Sequence, residues 1–257
     1  MSAVVIIPAR YGSTRFAAKI LACQTGRPLV QHVVDQASRC RLVREVYVAT
    51  DDSRIVDALK PFGTRCVMTS THHQSGTDRI AEVARHLADD IVVNVQGDEP
   101  EIEPEIIDAL VERLQNNDEP MATAATPFPA GADPNDPNLV KVVISQKGRA
   151  LYFSRSQIPF QREPSSTTAE MLLHLGIYAF RRSFLAEFVA WPQTSAERSE
   201  KLEQLRVLEH DRPIYVQRVR RASHGIDTAQ QYADFVKRFA AAASGGGKNC
   251  AEDGAGR

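Results

Sequence analysis

Apolar positions recur along this chain with two different periods, and the alternation between them predicts the architecture. "AVVIIPA" (3–9) is a continuous apolar run, as expected for a parallel strand buried on both faces. Val30, Val33, Val34 and Ala37 then recur at helical spacing. "EVYVATD" predicts the next strand, and "SRIVDALKPFG" a helix ending near Gly63. "RCVMT" is a short strand. A helix follows over Thr77–Leu87, with Ile80, Val83, Ala84 and Leu87 on one face. "DIVVNVQGDEP" is a strongly apolar strand, followed by a helix in "EIIDALVERLQ". Strand and helix alternating at this spacing imply a parallel sheet covered by helices on both faces.

The second half is less regular. "MATAATPF", "LVKVVIS", "RALYFSR" and "LLHLGIYAF" read as strands with few helices between them, so antiparallel strands join the sheet. "GADPNDPN" and "PFQREPSSTTAE" are polar, proline-rich loops of the kind that often carries function. "SFLAEFVAW" and "SEKLEQLRVLEHD" are helices, "PIYVQRV" a late strand and "TAQQYADFVKRFAAAA" a closing helix. The fold class is α/β: a Rossmann-like, mixed but mostly parallel sheet, helices on both faces, and a smaller antiparallel subregion. Residues 1–243 form one domain, with halves at about 1–120 and 121–243. The glycine-rich 244–257 is expected to be a disordered tail. The sequence has no internal repeat.

Composition narrows the function classes. The chain has 257 residues, 43% hydrophobic and 25% charged, with a net charge of -1. It has neither a global basic field nor a basic stripe with interleaved aromatics, so no nucleic-acid partner is expected. Cys23, Cys40, Cys66 and Cys250 are scattered without a C-x-x-C, which suits a reducing compartment and argues against disulfides or zinc. Val4–Ile7 is too short to span a membrane, so no membrane insertion and a cytoplasmic location are expected.

The strand ends carry the candidate chemistry. Ligands of an open α/β sheet bind beyond the carboxyl ends of the strands. Here those ends read "PARYGSTR", "ATDD" and "NVQGDEP". They offer the cations Arg10 and Arg15, amide donors from the Gly12–Thr14 turn and Gln96, and the carboxylates Asp51, Asp98 and Glu99. Cations with backbone amides suit phosphates, and a carboxylate beside a glycine suits Mg²⁺, so the crevice reads as a nucleotide–magnesium site. Neither G-x-G-x-x-G nor G-x-x-x-x-G-K-[ST] is present, which disfavours a dinucleotide fold of the usual kind and excludes a P-loop NTPase.

"IIPARYGSTR" with Lys19, "ATDD", "HHQSGTDR", "NVQGDEP", "DPNLVKVV", "ALYFSR", "HLGIYAF", "LEQLRVL" and "GIDT" occur in that order. Together they resemble the 3-deoxy-manno-octulosonate (Kdo) cytidylyltransferase family, from about Val4 to the last helix. The resemblance implies a nucleotide-diphospho-sugar transferase fold and the reaction of CTP with Kdo to give CMP-Kdo and pyrophosphate, for lipopolysaccharide synthesis. It implies Mg²⁺ as cofactor and a homodimer with second-half strands at its interface. A cytidylyltransferase for 8-amino-8-deoxy-Kdo or a sialic-acid-like sugar is an alternative. A non-catalytic nucleotide-binding relative is another. It is motivated by "FAAKIL", where the family has "[LF]-P-G-K-P-L": Ala17 and Ala18 replace the proline–glycine pair, and Ile20 the later proline. At Ala18 the loop either avoids positive φ or is held by packing of Phe16 and Ile20.

The resemblance also distributes roles. Arg10, Lys19 and Asp98 are the catalytic candidates. CTP is expected to meet Ala9, Arg10, Gly12, Ser13, Arg15 and Lys19 on the phosphate loop, Gln74, Ser75, Gly76 and Arg79 around the base, and Gln96 and Asp98. Thr77 suits a helix cap. Adjacent His72 and His73 diverge and make no zinc pair. Asp98 and Asp227 are the expected magnesium ligands, although by its residues alone "DT" before an amphipathic helix makes Asp227 an N-cap. Arg155 is the cation expected for the sugar carboxylate, with His174 and Tyr178 on one strand face beside it. Glu203 and Gln204 are expected on the sugar hydroxyls.

Overall fold

The computed structural model describes residues 1–12, 16, 18–163, 170–220 and 225–245. One nine-stranded sheet runs through both halves. Its strands are β1 (Ala3–Ala9), β2 (Glu45–Thr50), β3 (Arg65–Met68), β4 (Ile91–Asn94), β5 (Met121–Pro127), β6 (Lys141–Ile144), β7 (Ala150–Ser154), β8 (Leu172–Arg181) and β9 (Ile214–Arg218). The order is β3-β2-β1-β4-β8-β5-β9, and β6 pairs with β7 and β8. The four strands of the first half pair in parallel, as does β5 with β9. β8 runs antiparallel to β4, β5 and β6.

Alternation along β1 explains the two-sided core. Val5 and Ile7 enter the hydrophobic cluster on one face, with α1 (Leu29–Ala37), α2 (Ser53–Leu59) and α4 (Pro104–Asn116). Val4 and Ile6 enter the cluster on the other, with α3 (Gly76–Ala84), α5 (Arg182–Ala190) and α7 (Gln204–Glu209). All four side chains are fully buried, each worth about 1.5–3 kcal/mol over exposure. The closing helix α8 (Ala229–Gly245) adds a third cluster, in which Ile226, Tyr232 and Phe235 meet Leu29 and Phe16.

Two helix expectations need correction. The helix expected from "SEKLEQLRVLEHD" is two: α6 (Ser195–Glu200) begins four residues earlier, and α7 follows a break. Thr194 and Glu197 form a capping box that sets the earlier start, and Lys201, left-handed at φ 53°, ends α6. Glu197 also receives two hydrogen bonds from the Arg206 guanidinium, at 2.6 and 2.8 Å, a buried pair that ties α6 to α7. In α3 the cap is Ser75 rather than Thr77. The Ser75 hydroxyl accepts from the Asp78 amide while the Asp78 carboxylate accepts from the Ser75 amide. The α8 helix reaches Gly245, two residues into the expected tail; the remainder of that tail lies outside the described residues.

One edge of β8 is only partly paired. β4 covers it over Tyr178–Arg181 and β6 at Leu172 and Leu173. Between them Gly176 lies beside Glu99, on the chain that leaves β4.

Candidate active site

Pro8 near the end of β1 is the floor of the cleft. A Cβ on Gly76 would lie 3.2 Å from the Pro8 ring, and one on Gly97 3.2 Å from the Pro8 carbonyl. Glycine at both positions lets the start of α3 and the turn after β4 close on this strand end without pushing it aside. The resulting cleft, of about 330 Å³, is lined by Arg10, Gly12, Lys19, Gly76, Gln96, Asp98 and Asp227, together with Pro8, Ile20 and Gly97. Seven of the residues singled out in the sequence thus meet in one place. Ala9 is buried at the end of β1 beneath them. Ser13 and Arg15 lie outside the described residues.

Lys19 is the electrostatic centre. Its ammonium donates to Asp98 Oδ2 at 2.5 Å, to Asp227 Oδ1 at 3.0 Å and to the Ile226 carbonyl at 2.9 Å. Burial disfavours its charge, but Asp98 and then Asp227 outweigh that, and its pKa is raised. The Ile226 amide donates to the Asp98 carbonyl at 2.8 Å, so "GIDT" is laced to "QGDEP" through the backbone as well. The Asp227 side chain faces Lys19, while the Asp227 and Thr228 amides donate to Gln231. Arg10 is exposed at the rim, with Nη2 donating to the His73 carbonyl at 3.3 Å. The amino end of α3 points into the cleft at Gly76 and favours an anion there.

Of the two alternatives for the lysine loop, avoidance of positive φ fails and packing holds. Ala18 stands at φ 52°, ψ 28°, left-handed without being glycine. Phe16 packs on Tyr232 with ring centroids 5.8 Å apart, and Ile20 is buried. Packing on both sides holds a backbone that the methyl of Ala18 disfavours.

Arg79 is corrected. Its side chain is fully buried under the loop, with Nη1 donating to Thr69 Oγ1 at 2.5 Å and Nη2 to Asp51 Oδ2 at 2.6 Å. It ties α3 to the ends of β2 and β3 and is not among the residues that line the cleft, so the structure does not bring it to the other expected nucleotide contacts. Asp51 is correspondingly paired. Gln74 is exposed and donates to the His72 carbonyl at 3.1 Å, outside the cleft lining. The Ser75 hydroxyl is engaged in the helix cap. His73 pairs with Glu82 and diverges from His72.

The second-half residues gather beside β8. His174 accepts or donates at Thr123 Oγ1, 3.0 Å away, and stacks edge-on to Phe153. Burial pushes its pKa down to about 3, so it is a neutral imidazole and not a cation for a carboxylate. Tyr178 lies 5.5 Å from it, ring to ring, on the same face. Burial, then Glu203, then Glu99 hold the Tyr178 hydroxyl protonated. Glu203 accepts from Thr77 Oγ1 at 2.7 Å, and Gln204 is buried with Nε2 lacking a partner among the described residues. The Arg155 guanidinium donates to the carbonyls of Glu200, Pro137 and Lys201, which leaves donors over.

Glu99 was noted in the sequence only as a carboxylate of the crevice. A Cβ at Gly176 would lie 3.9 Å from its Oε1, and one at Gly225 3.9 Å from both its Cγ and Asp98 Oδ1. It therefore stands between the Asp98 side and the β8 face. Its signal was the glycine on β8, between His174 and Tyr178 in the period-two pattern.

The sequence profile described as cytidylyltransferase matches residues 4–215. A 3-deoxy-manno-octulosonate cytidylyltransferase of Trichlorobacter lovleyi is 48% identical over 238 residues, covering 89% of this chain and 94% of that protein. One from Geobacter sulfurreducens is 48% identical over 249 residues, covering 93% and 100%. Among solved structures, a CMP:2-keto-3-deoxy-manno-octonic acid synthetase complexed with CTP superposes with a TM-score of 0.87 at 40% identity, covering 95% of this chain and 100% of that one. A 4-diphosphocytidyl-2C-methyl-D-erythritol synthase from Anaerococcus prevotii shares the fold at 16% identity, with a TM-score of 0.62, 93% of this chain and 98% of that one being covered.

Proposed function

The chain belongs to the 3-deoxy-manno-octulosonate cytidylyltransferase family, and from that membership we propose that it transfers CMP from CTP to the anomeric hydroxyl of Kdo. The hydroxyl oxygen bonds to the α-phosphorus, the bond from that phosphorus to the bridging oxygen breaks, and pyrophosphate leaves with the electron pair. The hydroxyl proton passes to solvent. The observation that carries this reading is the convergence of Lys19, Asp98 and Asp227 at the strand ends, with Arg10 and the amino end of α3 around them.

Transfer of this kind depends on positioning and charge neutralisation more than on covalent help. Arg10 and Lys19 hold the triphosphate, and Gly12 and Gly76 let its oxygens approach backbone amides. Gln96 supplies a neutral donor. On the sugar side, Arg155 attracts the carboxylate. Tyr178, Glu203 and the buried Nε2 of Gln204 suit hydroxyls, which both donate and accept; an unpartnered buried amide costs roughly 1–3 kcal/mol until it finds an acceptor.

The donor set at Asp98 and Asp227 fits Mg²⁺. Two carboxylate oxygens lie within reach of one atom, Lys19 Nζ, and Gly225 leaves space beside Asp98 Oδ1. Among the described residues no group of three or more His, Cys, Asp or Glu could hold a metal, so phosphate and water would complete the shell. When bound, the ion would neutralise phosphate charge and lower the pKa of a coordinated hydroxyl.

The same reading places the enzyme in the cytoplasm, supplying lipopolysaccharide assembly. Among the described residues no helix is long and apolar enough to cross a membrane. It also makes the protein a homodimer, and the exposed Leu151 and Tyr152 of β7 suit such an interface.

The test is pyrophosphate release from CTP against a panel of acid sugars, with the Asp98→Ala variant alongside. Kdo should turn over best, and the variant should lose turnover while keeping its circular dichroism spectrum. Turnover with another acid sugar and none with Kdo would remove the substrate assignment. Unfolding of the variant would make Asp98 structural.

A further inference from the structure

Lys19 Nζ occupies the point where the two carboxylates converge. Its three protons go to Asp98 Oδ2 at 2.5 Å, Ile226 O at 2.9 Å and Asp227 Oδ1 at 3.0 Å, which satisfies the ammonium completely. The side chain is only 13% exposed, unlike a solvated surface lysine. Its backbone is fixed by the buried Ile20 on one side and left-handed Ala18 on the other.

A divalent cation held by the same two oxygens would stand about 2.0–2.6 Å from each. The ammonium at 2.5 and 3.0 Å from those oxygens fills that space or touches it. Two cations so close in a partly buried site repel strongly. They therefore compete for one position.

We propose that Lys19 is the resident counter-ion of the Asp98–Asp227 pair, excluding the divalent metal until nucleotide phosphate draws the ammonium away. This rests on the reading of the two aspartates as metal ligands. Before nucleotide arrives, the ammonium offsets one of the pair's two negative charges without metal. A triphosphate in the cleft offers Lys19 a new anion, the ammonium leaves, and the vacated carboxylates take the metal. Nucleotide and metal then each raise the affinity for the other, as linkage requires. The same lysine thus serves two anions in turn, and sets the order in which the site fills.

The test is binding of Mn²⁺ alone, without nucleotide, read from the electron paramagnetic resonance signal of the free ion. Lys19→Met should bind Mn²⁺ at least about tenfold more tightly than the unaltered protein, and adding Asp98→Asn to it should remove that gain. Lys19→Gln repeats the measurement should the methionine variant not fold. Equal or weaker Mn²⁺ binding by a folded Lys19 variant overturns the proposal. Asp98→Asn alone, measured with CTP present, separates the two readings. If it weakens Mn²⁺ binding, the ligand assignment stands, and a Lys19 variant without the gain then overturns only the role of Lys19. If it changes nothing, the ligand assignment fails and the proposal with it.

Discussion

Ala18 gives the most discriminating perturbation, because its conformation fixes the sign of the result. At φ 52°, ψ 28° its Cβ crowds the following carbonyl, at a cost of roughly 1–2 kcal/mol for an L-residue. Glycine at that position removes the crowding. It also gives the unfolded chain more freedom, which costs about 0.5–1 kcal/mol relative to alanine. The balance for Ala18→Gly lies between about zero and a gain of about 1.5 kcal/mol, with its middle at ~0.75 kcal/mol. In a chain of this size that middle value raises the melting temperature by roughly 1.5–3 °C.

Ala22, at φ -58°, ψ 124°, supplies the control four residues on. There glycine relieves nothing and adds only freedom to the unfolded state. It also removes a methyl packed against the Leu29, Ile226, Tyr232 and Phe235 cluster. Ala22→Gly should therefore lower the melting temperature. Differential scanning fluorimetry or calorimetry of both variants reads the two signs directly. Turnover of Ala18→Gly should stay within about twofold or rise, because Phe16 on Tyr232 and the buried Ile20 still hold the loop. A fall of 2 °C or more for Ala18→Gly would refute the reasoning, since it would mean that residue 18 sits at negative φ.

His174 couples stability to pH. Its pKa, about 3 when folded, lies below the 6.5 of the unfolded chain, so the unfolded state binds the extra proton between those values. Stability is full above pH 6.5 and falls by roughly 1.4 kcal/mol per pH unit below it. Denaturant midpoints measured from pH 7.5 to 5 should show that slope flatten in His174→Gln; an unchanged slope would make another group responsible. Glu197→Ala leaves the buried Arg206 guanidinium without its carboxylate and should cost roughly 3–5 kcal/mol in urea unfolding. A loss under about 1 kcal/mol would show that water reaches the pair. Leu151→Asp on the exposed face of β7 should shift the sedimentation coefficient from dimer to monomer, and an unshifted dimer would place the interface elsewhere.

The first half of the fold was legible because β1, β2 and β4 are buried runs separated by single amphipathic helices, so periodicity and order carry the same message. The α6–α7 break was not, because "SEKLEQLRVLEHD" keeps a helical stripe of leucines through it. What decides the break is tertiary: the Arg206–Glu197 pair and the left-handed Lys201, neither visible as a period. The site divides in the same way. Arg10, Lys19, Asp98 and Asp227 stand at element ends, where local pattern implies exposure to one crevice, and the fold brings them there. Arg79 stands inside α3, on the side that α3 turns toward the sheet, and it meets the buried edge of Asp51 and Thr69 instead. A guanidinium so placed is spent on holding two strand ends to a helix.

The alanines before Lys19 draw the two lessons together. Residue type at that position argued for a loop of normal φ, since alanine disfavours the left-handed region, and the chain adopts it nonetheless. The reason lies outside the loop. Phe16 is anchored on α8 through Tyr232, Ile20 is sealed in the core behind β1, and Lys19 is held by two carboxylates and a carbonyl. With both flanks and the lysine fixed, residue 18 has one path left. The strain at Ala18 is thus the local cost of placing an ammonium between Asp98 and Asp227. Relieving it with glycine should stabilise the fold without moving that ammonium.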